Sequence, residues 1–91
     1  MSGNARANAQ AAFHGEGLSP HTWSNDPGYR YGEHEHAYHK VLFCIEGSIT
    51  FHTTNGDIEL GPGDRLDLPP RTRHSATVGE SGVTCMEAAA S

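Results

Sequence analysis

The chain has 91 residues, enough for one domain and no second one. Only 35% of it is apolar, ten of those residues are alanines, and lysine and arginine number 6 against 11 aspartates and glutamates. The net charge of −5 argues against nucleic-acid backbones and anionic membranes as partners. No apolar run approaches the length of a membrane-spanning helix, and the first residues lack the apolar segment of a secretory signal, so a cytoplasmic location is expected. A domain this small buries only about 60% of its unfolded surface, and large apolar side chains are scarce here. A homodimer that shares its core is the corresponding expectation. Seven histidines form the unusual count.

Residues 1–17 are rich in Ala, Asn and Gly and read as an N-terminal arm, either flexible or helical over Asn4 to Ala12. Phe13 is its single aromatic and a candidate tether to a partner. From residue 18 to 91 the texture is that of short strands and turns. Gly and Pro punctuate the chain at close intervals from Gly32 on, the pattern of an all-β sandwich or barrel. Val41 to Ile45 is a continuous apolar run, as expected of a strand buried on both faces. Ser48 to Thr54 alternates and leads through Asn55-Gly56, a hairpin signal, into Asp57–Leu60. Arg65–Leu68, His74–Val78 and Val83–Glu87 complete the predicted strands. Cys44 and Cys85 lie in apolar strand-like runs and read as reduced, buried packing residues rather than a disulfide scaffold.

His34 and His36 stand two apart on a predicted strand, so their side chains share a face and can converge on one metal ion. An exposed polar strand produces such a pair by chance, and the spacing around it is what adds weight. Gly28 precedes His34 by five intervening residues, and Lys40 and Gly47 follow His36 after three and six more. Gly63 is separated by five residues from Pro69, and His74 lies five positions beyond that proline. This pattern resembles the two motifs of the cupin superfamily, G-x5-H-x-H-x3-E-x6-G and G-x5-P-x-G-x2-H-x3-N, over Gly28 to Val78. The resemblance implies a small jelly-roll β-barrel with a ligand pocket inside. It also implies that His34, His36 and His74 occupy three of the four usual metal-ligand positions. Lys40 takes the place of the usual Glu, Arg71 that of Gly, and Val78 that of Asn.

Strand parity from His34 carries Tyr38, Lys40, Leu42 and Cys44 inward, which makes Lys40 and Tyr38 candidate catalytic groups. An ammonium about 4 Å from a dication is repelled by roughly 8 kcal/mol at an effective dielectric of about 20. Lys40 therefore bends away from a three-histidine site, or is uncharged and acts as a proton acceptor or ligand, or marks a metal-free site holding an acidic ligand. A one-residue bulge offers a further alternative, in which His39 is a fourth ligand. The nitrogen-rich set suits a divalent transition metal, with Fe, Cu, Ni, Mn and Zn all open. Glu33 and Glu35 point away by parity, toward solvent or arginine. His52 reads as a surface or rim residue. Trp23, Tyr29 and Tyr31 read as packing, and Arg65 with Asp67 as an ion pair.

The function that follows from the resemblance is a small metal-binding cupin acting on a small molecule, of oxygenase or isomerase type if an enzyme. A non-enzymatic small-ligand-binding or sensor cupin without metal is the alternative. Fold alone does not separate them.

Overall fold

A computed structural model describes residues 2–90, and side-chain surroundings from residue 4. One helix, α1 (Ser2–Gly15), precedes six strands: β1 (His21–Asn25), β2 (Arg30–His34), β3 (Lys40–Thr53), β4 (Gly56–Leu60), β5 (Arg65–Leu68) and β6 (His74–Ala89). All pairings are antiparallel.

The two long strands β3 and β6 pair with each other along their whole length and form the spine. β1 and β5 flank one half of that spine, and β2 and β4 flank the other. Register shifts at Cys44/Glu46 and Gly47/Ile49 mark where the spine bends. Gly47 has φ of 75°, and a Cβ there would lie 1.9 Å from the Gly82 carbonyl oxygen, so only glycine permits this approach. The bend turns the two halves toward each other. Leu42, Cys44, Leu66, Leu68 and Cys85 from one half and Ile49, Phe51, Leu60, Ala76 and Val78 from the other close on one interior core.

The opposite parity of β3 faces outward. Val41, Phe43 and Ile45, with Met86 and Ala88 of β6, form a second core with Ala9 and Phe13 of α1. Phe13 meets Phe43 edge to face, with centroids 5.3 Å apart. The two-sided burial expected of Val41–Ile45 is present, but its second side is covered by this chain's own helix. The tether expected of Phe13 is likewise intramolecular. Helix α1 ends in a Schellman turn: Leu18 N–H donates to the Phe13 carbonyl at 2.9 Å and Gly17 N–H to the His14 carbonyl at 3.1 Å, with Gly17 at φ 71°.

Four expectations need correction. The runs either side of Gly47, and those either side of Gly79 and Gly82, belong to single irregular strands rather than separate ones: β3 and β6 pair on both sides of a register shift that runs from Gly47↔Val83 to Ile49↔Val78. The stretch around His21 and Trp23 is a strand, β1, held by β6. The β3–β4 turn is Thr54-Asn55, closed by the pair Thr53 and Gly56. Gly56, not Asn55, carries the positive φ. Strand β2 ends at His34, so His36 and Tyr38 lie on the loop before β3 and parity does not run through them.

Candidate metal centre and its cavity

His34 closes β2 and His74 opens β6, and the two are direct register partners. His36 arrives from the adjoining loop, which is fastened by Arg71 N–H donating to the His36 carbonyl at 2.6 Å. Arg71 makes that bond with φ of 64°, so the residue standing in the motif's glycine position keeps the glycine's backbone shape. One ring nitrogen from each of His34, His36 and His74 lies within 4.8 Å of the others.

The hydrogen bonding of two of the rings decides which of their nitrogens converge. His34 Nδ1 lies 2.7 Å from the Gly32 carbonyl oxygen and His74 Nδ1 2.8 Å from that of Thr72. A carbonyl only accepts, so each Nδ1 carries the proton and each Nε2 keeps a free lone pair. The Nε2 atoms of His36 and His74 are buried and have no hydrogen-bond partner. Buried polar atoms without partners are rare, and two of them aimed at one point fit a metal ion with carbonyls as outer supports. Burial lowers the proton affinity of His36 and His74, helped for His36 by the positive charge of Lys40, while the Thr72 carbonyl opposes the shift at His74. Both changes favour the neutral imidazole that a metal requires.

The histidines form one wall of a cavity of about 330 Å³, also lined by Trp23, Tyr31, Lys40, Phe51 and Glu87, with His21 at its margin. Lys40 is the first residue of β3 and only 8% exposed. Its Nζ lies 3.3 Å from Glu87 Oε1, and the Trp23 indole N–H donates to the same oxygen at 2.8 Å. Lys40 thus enters the cavity without facing a metal alone, because Glu87 compensates its charge. Glu87 was not a candidate from sequence. Its signal was parity: Val83, Cys85 and Glu87 alternate on β6, and the first two are in the interior core.

Other candidates lie elsewhere. His39 is outside the convergent set: its Nε2 is 3.0 Å from Asp67 Oδ2, which also pairs with Arg65. No bulge turns it inward, because β3 begins at Lys40 with regular pairing to β5. Tyr38 does not line the cavity, and its ring lies against His36 with centroids 5.0 Å apart. Glu33 and Glu35 pair with Arg73, and Glu35 also approaches Arg71. His52 bridges Asp57 and Thr77 away from the cavity. Trp23 and Tyr31 pack against the interior core, as expected, and also line the cavity. The Tyr31 hydroxyl is hydrogen bonded to Asn25, and burial pushes its proton affinity up. Cys44 and Cys85 are both buried free thiols facing each other across β3 and β6.

The family description that matches residues 21–85 is the AraC-like ligand binding domain. The chain belongs to that family, within the cupin superfamily. Among curated relatives, quercetin 2,3-dioxygenase of Bacillus subtilis (strain 168) is 43% identical over 49 residues, covering 53% of this chain and 14% of that protein. An uncharacterized HTH-type transcriptional regulator of the same organism is 41% identical over 44 residues, 48% of this chain and 18% of the regulator. The chain therefore spans less than a fifth of either relative. A cupin superfamily protein from Desulfitobacterium hafniense DCB-2 has a TM-score of 0.71 at 18% identity, covering 79% of this chain and 65% of that one, which shows a shared fold.

Proposed function

We propose that this cupin holds a divalent transition metal through Nε2 of His34, His36 and His74 and uses it on a small molecule bound in the cavity. The observation that carries this reading is the pair of buried, partnerless Nε2 atoms on His36 and His74. A metal so bound supplies Lewis acidity toward an oxygen of the small molecule, the part of the chemistry that oxygenase-type and isomerase-type reactions share. The chain's own contribution is a neutral three-nitrogen set, carbonyls that fix the tautomers of His34 and His74, an aromatic wall, and Lys40 with Glu87 beside the reacting space. The dioxygenase relative supports an enzyme, and the regulator relative supports the second reading, a metal-free ligand sensor. Occupation of the fourth-ligand position by Lys40 also favours that second reading.

Elemental analysis of tag-free protein, followed by metal titration of chelator-treated protein, separates the two. The expected result is one transition metal per chain, with affinity falling about 100-fold or more in His74→Ala. No stoichiometric metal after supplementation overturns the metal reading and leaves the sensor.

A further inference from the structure

The hydrogen-bonding capacity of the cavity is lopsided. Glu87 is the single carboxylate among the cavity-lining residues, and its Oε1 accepts the Trp23 indole N–H at 2.8 Å and forms an ion pair with Lys40 Nζ at 3.3 Å. Its Oε2 faces His21 Nε2 at 3.7 Å. A lysine ammonium offers three donors, and the Glu87 ion pair is the one polar side-chain contact of Lys40 among the described residues. Lys40 is also the single lysine or arginine lining the cavity. The acceptor side is thus largely used within the protein and the donor side is not. The convergent histidine nitrogens, on the wall of the same cavity, are a set without any negative charge of its own. The unspent ammonium donors of Lys40, on the only cationic side chain of the cavity wall, call for an anionic oxygen from outside the protein.

The remaining walls define the body of that ligand. Trp23, Tyr31 and Phe51 present aromatic surfaces, with Trp23 and Tyr31 edge to face at 5.8 Å. A volume of about 330 Å³ lies at the small end for binding pockets and limits the ligand to roughly one ring.

We propose that the cavity selects a small carboxylate with a planar apolar body, its carboxylate taken by Lys40 and its body placed among Trp23, Tyr31 and Phe51. The proposal rests on the reading of this cavity as a small-molecule site but not on the metal, so it is tested in metal-free protein. Metal content measured separately keeps the two outcomes distinct.

Trp23 is the sole tryptophan of the chain and lies in the cavity wall, so its emission reports binding directly. Chelator-treated protein is titrated with benzoate, with its neutral isostere benzamide, and with acetate, which has the charge without the ring. Saturable binding of benzoate is expected, about tenfold or more tighter than either of the others. Lys40→Arg should keep the preference for benzoate over benzamide. The double variant Lys40→Met/Glu87→Gln, which leaves no unpaired charge behind, should lose it. Circular dichroism of each variant verifies the fold. Benzamide binding as tightly as benzoate overturns the charge selection, and acetate binding as tightly overturns the planar body. Absence of saturable benzoate binding, or a double variant that keeps the preference, overturns the proposal as a whole.

Discussion

Lys40→Met removes one partner of a largely buried ion pair and leaves the other in place. The Lys40 and Glu87 side chains are 10% and 14% exposed, so neither charge is well solvated. Breaking a buried pair from one side costs about 3–5 kcal/mol, mainly because the surviving charge is left without compensation. Here the surviving Glu87 keeps the Trp23 indole hydrogen bond and borders a cavity, both of which reduce the penalty. We therefore expect a loss of about 2–3 kcal/mol. For a domain of this size each kcal/mol moves the melting midpoint by about 4–8 °C, so a fall of about 10–20 °C should be seen. Methionine fills nearly the same volume as the lysine stem, so the loss reports charge rather than packing. The double variant Lys40→Met/Glu87→Gln removes the orphaned charge and should recover half of the loss or more. The assay is thermal unfolding followed by circular dichroism at neutral pH in chelator-treated protein. A single variant within about 2 °C of wild type, or a double variant no more stable than the single, would refute the reasoning, since the pair would then not be desolvated.

Arg71→Gly should be neutral to stabilising by up to about 1 kcal/mol, because relief of the left-handed backbone at φ 64° exceeds the extra chain entropy of glycine; chemical denaturation showing a loss instead would mean that the Arg71 side chain matters more than its backbone. Asp67 is held below the ordinary carboxylate range by its hydrogen bonds to Arg65 and then His39, and Glu16 is lowered likewise by Arg65. A lowered folded-state value contributes stability that is present above the unfolded value, about 3.8 for Asp67, and is lost as pH falls through the folded one. The stability difference between wild type and Arg65→Met should therefore be larger at pH 7 than at pH 2, and a difference that does not change with pH contradicts the pairing. The contact with Cys44 and burial push the Cys85 thiol well above its usual range, and both thiols are fully buried, so neither cysteine should react with a thiol reagent such as dithionitrobenzoate until the protein is unfolded. Fast reaction of either thiol in the folded protein would show an open path to the core.

The sequence by itself carried the all-β class, the main strand-forming segments and the three histidines that converge. These are local or periodic properties. Alternation along Ser48 to Thr54, the glycine and proline punctuation, and the fixed spacing of His34, His36 and His74 are all written along the chain. Whether two apolar runs are two strands or one was not local. The bulges at Gly47 and Gly82 depend on close approach of two backbones far apart in sequence. Lys40 did enter the cavity, but not by unbroken parity from His34: the strand ends there, and the position of Lys40 is set by its pairing with β5 and β6. His39 was indistinguishable from a ligand in sequence, and it is Asp67, 28 residues away, that takes it. Glu87 shows the same limit most clearly. Its parity was legible, but its meaning comes from Lys40 and Trp23, 47 and 64 residues away along the chain. A buried charge is tolerable only beside its partner, and only the tertiary fold decides who that partner is.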